Sequence, residues 1–331
     1  MYPRTVARQQ ELRVSAGSET LLGTLSLPDA PPPEGRNGRY PNVLLLPSWL
    51  PRTRDGGYDR EAHPSWFQLE AAPSPSRGLL ARLADALAEQ GVASLRCDPR
   101  GCGDSGGAWE STDLFTRIDD ARDQLAAMRG QRELDLRRAG IVGHGEGATL
   151  ALAVAIGDPA ISALTLIGPA ARSFRDTLRR AAAARGRSPR ERAHPLVAAI
   201  DRWTEDIIER AERGESTFRL LLARGERIDL GLAGIEQAIR MPPMALITMF
   251  DRSLSVFHGA ADTWSDPEES VLLLASVPLA SVSPVRVLVA GAEHELGEAS
   301  DDLIVEIASD IASRLLPRDL PPVLLAIESM G

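Results

Sequence analysis

At 331 residues and 44% hydrophobic, the chain can bury a sizeable core, as one large α/β domain with an insertion or as two small domains. A formal net charge of -9 repels nucleic-acid phosphates and argues against a nucleic-acid partner. Two cysteines, Cys97 and Cys102, are too few for a disulfide framework or a structural zinc site, and both are expected as thiols in a reducing cytoplasm.

Residues 1–12 carry charges but no apolar stretch of the secretory kind. No run approaches the roughly 18 apolar residues of a membrane span, so a cytoplasmic protein without a membrane partner is expected. Residues 11–27 hold two alternating segments, around Leu12-Arg13-Val14 and over 21–27, with Ala16-Gly17-Ser18 between them. This predicts a hairpin. The Pro/Gly-rich stretch 29–39 is a loop. Val43-Leu44-Leu45-Leu46-Pro47 is a continuous apolar run, as in a strand buried on both faces. An irregular stretch follows over 48–76, with Trp49, Tyr58, Trp66 and Phe67 scattered through it. Loops of that length in a compact domain are usually functional or mobile.

A helix is predicted over 79–90, stopped by Gly91. A buried strand covers 92–97, a helix 114–129, a strand 139–142, an Ala/Leu-rich helix 148–156 and a strand 161–167. Strands alternating with helices imply a mostly parallel sheet covered on both faces by right-handed crossovers. From 169 to about 249 the alternation stops in a helical, charged stretch. It resumes with strands at 254–257 and 285–289 and a last helix at 301–316. The apolar run 323–327 has no assigned place. The expected division is a core of 1–169 with 250–331, and a helical cap of 170–249.

The strongest motif is Ala139-Gly140-Ile141-Val142-Gly143-His144-Gly145-Glu146-Gly147-Ala148. A strand enters a tight turn and then a helix, whose N-terminal amides can stabilise an oxyanion. The layout is G-x-S-x-G with Gly145 in the serine position, and glycine cannot be a nucleophile. Taken alone, it also reads as a glycine-rich turn without catalytic meaning. Earlier in the chain, Cys97-Asp98-Pro99-Arg100-Gly101-Cys102-Gly103-Asp104-Ser105-Gly106 follows a strand. Asp98, Arg100 and Asp104 are expected to hold that turn together through side-chain hydrogen bonds.

After the strand at 254–257 comes His258-Gly259-Ala260-Ala261-Asp262; after the next, Ala290-Gly291-Ala292-Glu293-His294-Glu295-Leu296. An acid that orients an imidazole should sit on a neighbouring strand end, and Asp262 and His294 do. Asp266, Glu293 and Glu295 are alternatives for the acid, otherwise read as solvated loop charges. His258 is expected to be structural and His144 to pack beneath the elbow. His63 and His194 are expected at the surface. No spacing among the five histidines resembles a metal site, and no cofactor is expected.

Together these motifs resemble the α/β-hydrolase superfamily, especially its bacterial acyl-ester hydrolases of the dienelactone-hydrolase and peptidase-like branch. The resemblance covers roughly 10–170 and 250–316. It implies an α/β-hydrolase fold with an inserted helical cap, and an enzyme acting on a small-molecule substrate. It places the oxyanion hole at the backbone N–H groups of Glu146 and, near Ser48, of Trp49. Trp49 and Leu50 stand where the family often has small, glycine-containing motifs.

Three readings of Gly145 remain open. His294, oriented by Asp262, acts as a general base without a serine nucleophile, in an unusual hydrolysis, an elimination or a cyclisation of secondary metabolism. Or glycine was engineered in place of serine to trap a substrate complex, in an inactive variant of an ordinary esterase, thioesterase or lactonase. Or the chain binds a ligand or partner without chemistry. Losing a serine nucleophile costs on the order of 10⁶ in turnover, so a natural glycine argues for different chemistry or none. Ser48 and Ser105 are the alternative hydroxyls, and Cys102 the alternative thiol. The pocket is expected to draw on Ser48, Trp49, Trp66, Trp203 and Trp264 and to suit an apolar substrate.

Overall fold

The computed structural model describes residues 7–32, 38–64, 78–185, 195–221, 227–278, 284–289, 291–296 and 300–315. Trp66, Phe67, His194 and the 323–327 run lie outside the described residues. The strands are β1 (Arg8–Ala16), β2 (Glu19–Leu27), β3 (Tyr40–Leu46), β4 (Ala93–Cys97), β5 (Leu134–His144), β6 (Ile161–Ile167), β7 (Thr217–Leu221), β8 (Arg227–Gly231), β9 (Ser253–Gly259) and β10 (Val285–Val289). The helices are α1 (Leu79–Glu89), α2 (Leu114–Arg129), α3 (Gly147–Gly157), α4 (Phe174–Arg185), α5 (Pro195–Glu212), α6 (Ala233–Arg240), α7 (Pro243–Leu246), α8 (Glu268–Ala275) and α9 (Asp301–Leu315).

Eight strands form one sheet in the order β1-β2-β4-β3-β5-β6-β9-β10. β1, β2 and β4 pair antiparallel; every later pair is parallel. Period-two alternation divides the apolar residues of each strand between two layers. Val43 and Leu45 join Val142, Ile167 and Phe257 under α1 and α9. Leu44 and Leu46 join Ile141, Leu164, Leu166 and Val256 under α2 and α3. A continuous apolar run is what such a two-faced strand requires.

Helix ends follow local chemistry. Asp113 caps α2 by accepting the Thr116 N–H at 2.7 Å. α1 ends with the Val92 N–H on the Leu87 carbonyl and the Gly91 N–H on the Ala88 carbonyl, a Schellman closure.

The stretch between β6 and β9 departs from expectation. Besides α4 to α7 it holds an antiparallel hairpin, β7 with β8, in a sheet of its own. Phe218 and Leu220 alternate with exposed neighbours and turn inward. They pack with Ile208, Ala211, Leu230 and Ile235 against Trp109 and Cys102 of the main body. α8, after β9, was not expected either. No helix among the described residues is long and apolar enough to cross a membrane.

Candidate active site

Parallel strands end on one edge of the sheet, which is where open α/β sheets bind ligands. The ends of β5, β6, β9 and β10 carry Gly145, Gly168, Asp262 and His294. Gly145 adopts φ +57°, a left-handed conformation that L side chains rarely enter. Its N–H donates to the Ile167 carbonyl and its carbonyl accepts from Ala148. At Gly143 a Cβ would stand 2.2 Å from the Gly147 carbonyl oxygen, so the turn closes only around glycine there.

His294 is buried, and its Nδ1–H donates to Asp262 at 2.8 Å. The other carboxylate oxygen of Asp262 accepts the N–H groups of Trp264 and Ser265, each at 2.8 Å. His258 Nε2 lies 3.3 Å from the same carboxylate and donates to the Ser265 carbonyl. Burial alone would raise the Asp262 pKa, but His294 and these hydrogen bonds hold it well below the usual carboxylate range. Burial alone would lower the His294 pKa; the charge and hydrogen bond of Asp262 override it and raise it. His294 Nε2 is buried and has no hydrogen-bond partner among the described residues.

Two further contacts fix the His294 loop. His144 Nε2–H donates to the His294 carbonyl at 2.9 Å, and burial drives the His144 pKa down to about 4, so this imidazole stays neutral. Glu295 takes both terminal nitrogens of Arg52 at 2.6 and 2.7 Å. Arg52 is 2% exposed and also donates from Nε to the Trp49 carbonyl, so the pair ties the loop after β3 to the loop that carries His294. Glu295 is therefore no solvated loop charge. Burial opposes its ionisation, yet Arg52 takes its pKa down to about 2.

Ser48 is buried beside the elbow, and its hydroxyl makes no hydrogen bond among the described residues. A Cβ on residue 145 would stand 2.1 Å from Ser48 Oγ, 2.8 Å from Ser48 Cβ and 2.9 Å from His294 Nε2. Neither the Trp49 nor the Glu146 backbone N–H donates to an acceptor among the described residues. Leu50 holds φ +72°, so the loop keeps a glycine-like backbone although leucine occupies it. The Glu146 side chain pairs with Arg117 at 2.8 Å, and burial raises its pKa against that pull.

A cavity opens over Gly145 and His294, walled by Trp49, Phe174, Met241 and Trp264 among others. Neither Ser48 nor Trp203 is in that wall: Ser48 lines the adjoining pocket, which shares Glu146 with this one, and Trp203 lies away from both. It packs half-buried in the apolar cluster between α5, the hairpin and Trp109. Ser105 is bound into its turn, donating to the Asp98 carbonyl and accepting from Leu22 N–H. Asp98 holds Arg54 and the Asp104 amide; Arg100 clamps Asp120 and the Ala16 carbonyl. Burial pushes the Cys102 thiol up to about 12. Asp266 is exposed and accepts the Glu268 N–H at the start of α8; Glu293 is exposed. His63 is half-buried, and Glu110 and the Gly101 carbonyl occupy its two ring nitrogens.

Two groups among the described residues bring metal-capable atoms within 4.8 Å of one another: His144 with His294 and Glu295, and Asp59 with His63 and Cys102. In the first, His144 Nδ1 and His294 Nε2 have no partner among the described residues, but Arg52 holds both carboxylate oxygens of Glu295. In the second, the thiol is protonated, and Asp59 accepts the Gly103 and Ala62 amides. Neither offers three free ligand atoms.

Residues 76–299 match the family model described as serine aminopeptidase, S33. No curated protein matches the chain significantly. Among solved structures, Est1E of Butyrivibrio proteoclasticus with ferulic acid superposes with a TM-score of 0.61 at 15% identity, covering 92% of this chain and 98% of that one. An esterase of Pyrococcus furiosus gives 0.62 at 14% identity, over 94% and 92%. The esterase domain of a Rhodothermus marinus protein gives 0.56 at 16% identity, over 92% and 97%. At such identities the likeness shows the fold, which is that of the α/β hydrolases.

Proposed function

The chain belongs to the serine aminopeptidase S33 family of α/β hydrolases, and from that premise we propose an enzyme acting on an acyl ester, with His294 as general base, Asp262 as its orienting acid and no nucleophile at residue 145. One observation carries this reading: a buried His294 Nε2 without a partner among the described residues, 2.9 Å from the empty Cβ position of Gly145, with Asp262 at 2.8 Å behind it. A base needs a free nitrogen facing the reacting atom and a fixed tautomer, and both are present. The unpartnered amides of Glu146 and Trp49 are the donors for a developing oxyanion.

The aromatic and aliphatic wall of the cavity supports a small ester with an apolar part. The 170–249 segment acts as a cap, supplying Ala170, Phe174, Met241 and Pro243 to that wall. Packing speaks against an ordinary serine esterase that has merely lost its serine, because Ser48 fills the space a serine side chain at 145 would need.

Turnover of p-nitrophenyl butyrate and octanoate tests the reading. His294→Ala should lose about 10³-fold or more. Gly145→Ser should not raise turnover, since its Cβ meets Ser48. Intact turnover in His294→Ala, or a rapid esterase created by Gly145→Ser, would overturn it.

A further inference from the structure

We propose that Ser48 is the nucleophile of this site and carries the acyl group of a carboxylic ester with an apolar acyl chain. The inference rests on His294 being the base. It starts from a coincidence of position: Ser48 Oγ and His294 Nε2 lie 2.1 and 2.9 Å from one point, the place a Cβ on residue 145 would occupy. The hydroxyl that the elbow lacks is supplied there by the neighbouring loop.

Other observations point the same way. Ser48 is 7% exposed, yet its hydroxyl makes no hydrogen bond among the described residues. Two other serines differ: half-buried Ser105 is bonded to Asp98 and Leu22, and buried Ser265 donates to the Pro169 carbonyl. Catalytic hydrogen bonds are often open before substrate binds, so the missing Ser48–His294 bond does not exclude the pair. The Arg52–Glu295 pair, 243 residues apart in sequence, holds the Ser48 loop against the His294 loop. Trp49, next to Ser48, presents a free amide, as the residue after a nucleophile does in an oxyanion hole.

The chemistry closes without any further reagent than ester and water. His294 Nε2 takes the Ser48 Oγ proton as Oγ bonds to the ester carbonyl carbon. The carbon–oxygen bond to the alcohol then breaks, and His294 returns the proton to the leaving oxygen. Water, deprotonated by His294, attacks the acyl-Ser48 carbonyl. The acid departs and the proton goes back to Ser48 Oγ.

A fluorophosphonate, followed by tryptic mapping, tests this directly. The 40–52 peptide contains Ser48 and no other serine or threonine. The adduct is expected on Ser48 of that peptide and absent in Ser48→Ala and in His294→Ala. Ser48→Ala should lower p-nitrophenyl octanoate turnover by at least about a thousandfold with an unchanged melting temperature. Ser48→Cys gives a second reading independent of ester turnover. Its thiol should be alkylated by iodoacetamide on the same peptide faster at pH 7 than in Ser48→Cys/His294→Ala.

An adduct on the elbow peptide 139–172, or none on 40–52, overturns the proposal. So does Ser48→Ala turnover within about threefold of the parent. If His294→Ala abolishes turnover while Ser48→Ala does not, Ser48 alone is wrong. If His294→Ala leaves turnover intact, the base itself is wrong.

Discussion

His294 is held from three sides, and each contact has a separate consequence. Asp262 fixes the proton on Nδ1 and leaves Nε2 as the basic nitrogen. Only neutral His294 accepts a proton, and Asp262 raises its pKa above the ordinary value of about 6.5. Turnover per KM should therefore climb with pH and inflect above that value. Asp262→Asn should move the inflection down and cut kcat by about 10⁴, because the amide favours the wrong tautomer. A pH-rate profile of both proteins checks this, and an unchanged inflection in Asp262→Asn would refute it. The linkage sign is the reverse. A raised His294 pKa stabilises the fold fully below the unfolded value and loses that contribution as pH rises through the folded one. The catalytic form is thus the less stabilised form.

At the same scale, Glu295→Ala leaves Arg52 charged, buried and unpaired. The expected loss is about 3 kcal/mol of stability by urea unfolding. Turnover should fall as well, because Arg52 also carries the Trp49 carbonyl. Gly145, Asp262 and His294 were legible in the sequence because each ends a strand and is marked by glycines a few residues away. The Arg52–Glu295 pair was not. Its partners lie in two irregular loops, and no periodicity in either fixes which side chains meet. His63 escaped for the same reason, since its partners Gly101 and Glu110 lie in another turn.

At the scale of elements, periodicity worked where one element carries a long, clean pattern. α2 begins and ends where its spacing places it, and β3 is the buried strand its apolar run requires. The β7–β8 hairpin went unread because its alternation spans only five residues per strand, embedded in charge. α8 hides for a different reason: an acidic residue faces inward. Glu269 is buried and accepts the N–H groups of Ala171 and Arg172, each at 2.9 Å, and pairs with the Arg172 guanidinium. It pins the exit of β6 to α8, and that exit forms part of the cavity wall. Glu269→Ala would strand two amides and leave Arg172 only its longer pair with Glu268 at 3.4 Å. A loss of about 2–3 kcal/mol is expected, with KM for octanoate esters rising more than kcat falls. Wild-type stability in this variant would show that the contact is dispensable.

At the scale of the molecule, two apolar layers sandwich the sheet, and a third cluster joins the 170–249 segment to the main body through Trp109 and Cys102. Trp49 belongs to both worlds: it walls the cavity and packs edge-on against Phe174, with ring centroids 5.1 Å apart. Composition could only say that aromatics concentrate in the insertions. It could not separate those that face substrate from those that anchor, because both are apolar and both sit at insertion boundaries. The structure separates two of them. Trp203 lies in the anchoring cluster and Trp264 in the cavity wall, its ring centroid 6.4 Å from that of His294. Their alanine variants should therefore fail differently. Trp203→Ala, from a half-buried site, should cost about 2 kcal/mol of stability with little change in the ratio of octanoate to butyrate turnover. Trp264→Ala should leave stability within about 1 kcal/mol of the parent and shift that ratio severalfold, because it removes wall beside the reacting atoms and little of the core. Paired urea curves and ester-length profiles decide the matter. If Trp203→Ala changes the chain-length profile while Trp264→Ala does not, the cavity over Gly145 is not where the acyl chain lies.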